Sequence, residues 1–216
     1  MTAIAIDGPA GAGKSTVARA VAASLGFAYV DTGAMYRAIT LAAIDKGVDV
    51  IDGIALADVA RSVAIATDGN RMLLDGKDVT DEIRRRDVTA KVSVVSAHPQ
   101  VRHALLEVQR RAASDGDVVM EGRDIGTKVL PDAEVKVFLT ASLEERTTRR
   151  ARELGVEDDA GLDQLRRSIE TRDAHDSSRS TSPLERAPDA IAIDTTGKSI
   201  AEVVAEIVAL VDKERK

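Results

Sequence analysis

A chain of 216 residues with 44% apolar and 31% charged side chains can bury one domain and a small insert, but not two full domains. The absence of cysteine excludes disulfides, thiolate metal sites and cysteine nucleophiles, and an aromatic content of 2% argues against reading nucleic acid by base stacking. With a net charge of −6, a protein that binds anions must gather its positive charge locally.

The N-terminus enters an apolar run with no basic stretch before it, and no apolar segment is long enough to span a bilayer. A cytoplasmic chain with no membrane contact is therefore expected. Ala3-Ile4-Ala5-Ile6 reads as a buried strand that stops at Asp7-Gly8. After a glycine-rich turn, Val17, Val21 and Leu25 form one stripe of a helix that Gly26 can end. Phe27-Ala28-Tyr29-Val30 is a second strand, followed by a helix over residues 34–46 closed by Gly47.

The middle has a different texture. Val63-Ala64-Ile65-Ala66 and Arg71-Met72-Leu73-Leu74 flank Asp68-Gly69-Asn70, and Asp75-Gly76 follows, so a small antiparallel meander is expected. It interrupts a strand–helix alternation, which makes residues 60–92 an insert; a helix over residues 99–113 leads out of it. The alternation resumes with strands at Val118-Val119-Met120 and Val135-Lys136-Val137-Phe138-Leu139, then a capping box from Ser142 to Glu145. Residues 157–161 read as an acidic loop and residues 162–174 as a charged helix. Ala190-Ile191-Ala192-Ile193 is the last strand, and a second capping box, Ser199 to Glu202, opens the last helix. Repeated strand–helix units predict an α/β fold with a doubly wound, five-stranded parallel sheet.

Gly8-Pro9-Ala10-Gly11-Ala12-Gly13-Lys14-Ser15 fits G-x-x-x-x-G-K-[ST] and lies between a strand and a helix. Glycines let the backbone wrap a phosphate so that its N–H groups and the helix N-terminus face the anion. Lys14 would reach the β and γ phosphates and Ser15 would ligate Mg²⁺, with Thr16 completing the nucleotide-binding set. An unrelated glycine-rich turn is the plain alternative.

Switches and motors share this loop. A guanine-nucleotide switch needs N-K-x-D, but Asn70 is the only asparagine and Arg71 follows it; D-x-x-G occurs only late, from Asp158 and from Asp194. A motor carries an acidic strand end, for which Val119-Met120-Glu121 is the nearest candidate, and coupling domains that have no room here. A phosphotransferase must hold a second anion opposite the first, which calls for arginines such as Arg37, Arg102, Arg123, Arg172 and Arg179. Any one of them taken alone reads as a solvated surface charge.

Four segments, IAIDGPAGAGKS from Ile4, DTGAMYR from Asp31, EGRDIG from Glu121 and RDAHDSSRSTSPL from Arg172, closely resemble bacterial cytidylate kinase, in register over nearly the whole chain. The resemblance implies a single P-loop kinase domain over residues 1–216, with a substrate-binding region inserted at 60–106 and a short lid at 149–161. It implies transfer of the γ-phosphoryl group of MgATP to CMP or dCMP by a monomer that binds no nucleic acid. Ser93, Arg102 and Asp124 match the cytosine readers; Arg37, Arg123 and Arg179 match the holders of the acceptor phosphate, with Tyr36 adjacent. Arg172 and Asp176 match sugar contacts, and Thr32 takes a position near sugar or phosphate. The catalytic set is then Lys14, Arg37, Arg123 and Arg179, and one of Arg146, Arg149 and Arg150 in the lid would reach the donor phosphates. Asp31 either orients a Mg²⁺-bound water or caps the local turn. His98, His103 and His175 lack metal-ligand spacing. The rival readings are a P-loop kinase of another acceptor, such as UMP, and a P-loop ATPase or switch with no small acceptor.

Overall fold

Strand β1 (Ala3–Asp7) is buried at every position. A strand with no exposed face is stable only inside a sheet covered by helices on both sides, and the remaining elements supply that cover. The computed structural model describes residues 1–214 and divides into two units: Met1–Phe27 with the chain from Val118 onward, and Ala28–Asp117. Helix α1 (Lys14–Leu25) buries Val17 and Val21 and ends at Gly26, which is left-handed and donates its N–H to Ala22, as its sequence predicts.

The second unit opens with β2 (Ala28–Asp31) and α2 (Thr32–Asp45). This helix starts two residues earlier than residues 34–46 suggest, because the Asp31 carboxylate caps it by accepting the Ala34 N–H at 2.9 Å. Helix α3 (Gly53–Ser62), capped by Asp52, has no counterpart in the sequence reading; its apolar stripe is blurred by Ile54, which is 68% exposed. The meander is present as β3 (Ile65–Asp68), β4 (Arg71–Leu74) and β5 (Lys77–Asp78), paired antiparallel in that order. Asp75 and Gly76 both take positive φ, as the tight turn between β4 and β5 demands. A 3₁₀ turn, Glu82–Arg84, leads into α4 (Arg86–Val95), also unforeseen because the residue at its N-cap, Arg85, offers no capping side chain. Helix α5 (Pro99–Arg111) begins with proline at its first position and packs against α3, while α2 packs against α4.

The first unit resumes with β6 (Val118–Glu121) and a π-helical turn at Ile125–Val129, then β7 (Val135–Thr140) and α6 (Leu143–Leu154), capped by Ser142. Helix α7 (Asp159–Ser178) begins inside the acidic run, because Asp158 accepts the Gly161 N–H as its cap; the expected solvated loop is four residues of connection. β8 (Ile191–Asp194) and α8 (Ile200–Glu214) complete the chain, and the Ser199–Glu202 capping box is made in both directions.

The large sheet is five-stranded and parallel in the order β2-β6-β1-β7-β8. Both neighbours of β1 come from distant sequence, so the chain reverses its winding at β1, and ligands bind beyond the C-terminal ends of strands at such a switch point. Gly8 sits there at φ 147°, and a Cβ on it would strike the backbone carbonyl of Leu139. Gly8→Ala is expected to cost about 2 kcal/mol or more of stability through strain and collision, read as a lowered denaturation midpoint.

Candidate active site

Parallel pairing of β6, β1, β7 and β8 brings their C-terminal residues to one edge of the first unit. Glu121 ends β6, Asp7 ends β1, Thr140 ends β7, and Asp194 ends β8 with Thr195 next. The segment after β6 begins at Gly122, whose N–H donates to Ile6 at 3.0 Å. Residues as distant in sequence as Lys14, Arg123 and Thr195 thereby share one rim.

The phosphate loop is built as its glycines predict, with Gly8, Gly11 and Gly13 all at positive φ. Gly13 forms the N-cap of α1, and Ser15 and Thr16 stand exposed in its first turn. Pro9 and Ala10 are half-buried, whereas Ala12 is fully buried. Lys14 is buried too, and its Nζ donates to the Pro9 carbonyl at 2.7 Å. Burial pushes its amine down to about 7; the Arg123 charge adds to the fall, Glu121 opposes it, and Arg172 adds again.

Arginines predicted from scattered motifs meet in this unit. Arg123 Nε donates to Asp176 at 3.0 Å, and Arg179 lies 3.5 Å from the same carboxylate. Burial alone would raise the Asp176 pKa, but Arg123, Arg179 and Arg172 together hold it below the ordinary carboxylate range. Asp176 is therefore a fixed anion that keeps three guanidinium groups from dispersing. Asp124, predicted as a base reader, is buried at the head of the π-helical turn, its backbone carbonyl accepting from Lys128 at 2.9 Å.

Asp7 holds this turn in place, a part that its sequence position alone did not reveal. Its two carboxylate oxygens accept the N–H groups of Ile125 at 2.9 Å and Gly126 at 2.8 Å. Burial pushes its pKa up to about 6, against those two hydrogen bonds; Asp124 raises it further and Lys14 lowers it. The residue that precedes the phosphate loop thus also anchors the segment carrying Arg123 and Asp124.

Arg146 and Arg149 lie on the face of α6 toward the loop. Arg146 donates to the Ala141 carbonyl at 3.1 Å and the Ala10 carbonyl at 3.2 Å, and pairs with Asp173 on α7. Arg149 bonds Thr195 twice, through the hydroxyl at 2.9 Å and the carbonyl at 2.7 Å. Arg150 points elsewhere, to Glu153 at 2.7 Å. Residues 149–161 thus comprise the end of α6, the connection and the start of α7. Asp173 and Thr195 were invisible in sequence, since each is defined by partners far along the chain.

The second unit carries the other predicted residues. Arg102 is 7% exposed, donates to the Ser96 carbonyl at 3.0 Å, and lies 5.2 Å over the ring of buried Tyr36. Arg37 donates to the Ile83 carbonyl at 3.2 Å and to Thr89 Oγ1 at 2.9 Å. Thr32 is buried in the first turn of α2, and Ser93 is half-buried on α4. Asp31 uses one oxygen as a helix cap, the second of its two readings. His98 reaches the Val50 carbonyl at 2.9 Å, a link between α5 and the segment before α3.

Comparison with known proteins adds a family. Residues 4–213 match the model of the cytidylate kinase family. A cytidylate kinase of Caldanaerobacter subterraneus subsp. tengcongensis is 51% identical over 216 residues, covering 99% of this chain and 96% of its own. One of Symbiobacterium thermophilum is 53% identical over 210 residues, covering 94% and 93%. Among solved structures, a gluconokinase from Sinorhizobium meliloti 1021 superposes with a TM-score of 0.52 at 17% identity, covering 99% of this chain and 94% of its own, a likeness of fold alone.

The amine of Lys14 gives the protein's stability a pH signature. Its folded pKa of about 7 lies below the ordinary 10.5, so the unfolded chain binds more protons between those values and stability rises with pH there. Asp7 acts in a separate window, since its pKa of about 6 makes stability fall as pH rises from 3.8 to 6. Between pH 7 and 9, wild type should gain about 1 kcal/mol per pH unit relative to Lys14→Met in urea denaturation.

Proposed function

The chain belongs to the cytidylate kinase family, and on that premise we propose how its residues divide the transfer of a phosphoryl group from ATP to CMP or dCMP. The observation that carries the assignment is the convergence of Lys14, Arg123 and Arg172 in the first unit, with Arg123, Arg172 and Arg179 held by Asp176. A bare nucleotide switch has no use for that much cationic charge beyond its lysine, whereas a transferase must cancel the repulsion between two polyanions.

Donor binding falls to residues 8–15 and Thr16. Backbone N–H groups and the α1 N-terminus face the phosphates, and Lys14 exchanges the Pro9 carbonyl for a phosphate oxygen. A charge entering beside an amine that is mostly neutral at pH 8 draws it back to the ammonium form, so donor binding near that pH takes up a proton. The Ser15 hydroxyl, exposed beside Lys14, is the kind of hard oxygen that suits Mg²⁺, and Asp31 retains a second oxygen beyond its cap for a metal-bound water. Mg²⁺ held by these residues would supply positive charge to offset that of the donor phosphates.

Acceptor contacts are assigned to Arg123, Asp124, Arg172, Asp176 and Arg179 in the first unit and to Thr32, Tyr36, Arg37, Ser93 and Arg102 in the second. A buried Asp124 can accept from the 4-amino group of cytosine but faces only another acceptor in uracil. The acceptor atom is already a phosphate oxygen, so no general base is required; positioning and charge neutralisation carry the rate. We assign the protein to the cytoplasm, acting as a monomer; among the described residues no helix is long and apolar enough to cross a membrane.

A panel of CMP, dCMP, UMP and AMP with ATP tests the acceptor reading. CMP and dCMP should lead, and preference for AMP would defeat it. Asp124→Ala is expected to lower kcat/KM for CMP by about 100-fold while ATP binding holds, since a buried polar reader is lost. Calorimetry of ATP binding at pH 8 in buffers of different ionisation enthalpy should show proton uptake in wild type and none in Lys14→Met.

A further inference from the structure

The hydrogen bonds outside the phosphate loop determine which way its peptide planes face. In a trans peptide the carbonyl and the following N–H point in opposite directions. Thr195 Oγ1 reaches the Ala12 carbonyl at 3.3 Å, just as Arg146 reaches that of Ala10. The N–H groups of Gly13 and Gly11 are thereby turned away from those outer donors, toward the inside of the turn. Both glycines stand at positive φ, where the backbone is free to rotate unless something fixes it.

Thr195 is well placed to do this. It is 2% exposed, immediately after β8, at the second position of the late D-x-x-G that no switch function explains. The hydroxyl lies 3.0 Å from the Thr140 carbonyl, which also receives the Thr195 N–H at 2.8 Å, and 3.3 Å from the Ala12 carbonyl, so its one hydrogen is shared between the two, and Ala12 is the partner that belongs to the loop. The same oxygen accepts from Arg149 Nη1 at 2.9 Å, while the Thr195 carbonyl takes Nη2 at 2.7 Å. Arg149 is thus clamped at both ends of its fork, and Nη1 lies 3.5 Å from where a Cβ of Gly13 would stand.

We propose that Thr195 is a positioning residue for the donor phosphates: its hydroxyl fixes the Ala12–Gly13 peptide with the N–H facing into the loop and, with its carbonyl, seats Arg149 beside Gly13. This rests on the reading of residues 8–15 as the donor cradle. A preformed N–H needs no reorientation when charge arrives, so losing the hydroxyl should weaken donor binding selectively. A buried threonine that merely fills space would instead affect stability alone.

The test compares Thr195→Val, which keeps the shape and loses the hydroxyl, with Thr195→Ser, which keeps the hydroxyl. Thr195→Val should raise KM for ATP by about tenfold, with KM for CMP changed by less than about twofold, and Thr195→Ser should recover most of the loss. Should the valine variant not fold, Thr195→Ala carries the same expectation. An unchanged KM for ATP in a folded valine or alanine variant, or parallel rises for ATP and CMP, would overturn the proposal. Lys14→Met serves as the control. If it leaves ATP binding intact, the cradle reading itself fails; if it abolishes binding while Thr195→Val does not, only the role of Thr195 is lost.

Discussion

A lysine amine buried among arginines is the constraint around which this protein is organised. Lys14 is withdrawn from water, and Arg123 and Arg172 bear on it within a chain whose net charge is negative. Such an arrangement is costly when empty and becomes favourable when phosphates arrive, because burial strengthens each attraction to the incoming charge. Compensation comes from within: the charges of Glu121 and Asp7 favour the ammonium form of Lys14, and Asp176 offsets the guanidinium cluster.

The fold meets this constraint by joining parts that chemistry needs together but sequence keeps apart. Asp7 stands at the end of β1, directly before the loop, and accepts two N–H groups from the turn after β6. Arg146 and Thr195 reach the loop from α6 and from the end of β8. Donor loop, arginine-bearing segment and outer braces are therefore mechanically continuous. A disturbance in any of them is expected to be felt as misplacement rather than as lost affinity alone, since transfer between phosphates depends on alignment and charge.

In the second unit the same economy appears with different partners. Arg37 is tied to Ile83 and Thr89, and Arg102 is stacked on Tyr36, one of only two tyrosines in the chain. Long, flexible cations lose much rotamer entropy when they bind a ligand, and holding them beforehand reduces that cost. The Ile83 carbonyl belongs to the turn after the meander, so that segment helps to restrain Arg37.

What could be read in advance was local. The phosphate loop, the Gly26 stop, the two capping boxes and the Asp75-Gly76 turn each depend on residues within a few positions, so their chemistry is written at short range. Helices α3 and α4 were missed where an exposed Ile54 and a basic, uncapped start obscured the pattern. Asp158 looked like solvated charge until the helix it caps was seen. The resemblance of four motifs supplied the candidate residues, Arg123, Arg172 and Arg179 among them, but gave no partner for any. By itself the sequence determined the anion-binding loop, the α/β alternation and the family. Only the tertiary structure decided that Asp176 pairs with Arg123, that Asp7 clamps the Arg123 segment and that Thr195 braces Ala12, because those pairings span 53 to 183 residues and arise when parallel strands bring their ends to a common edge.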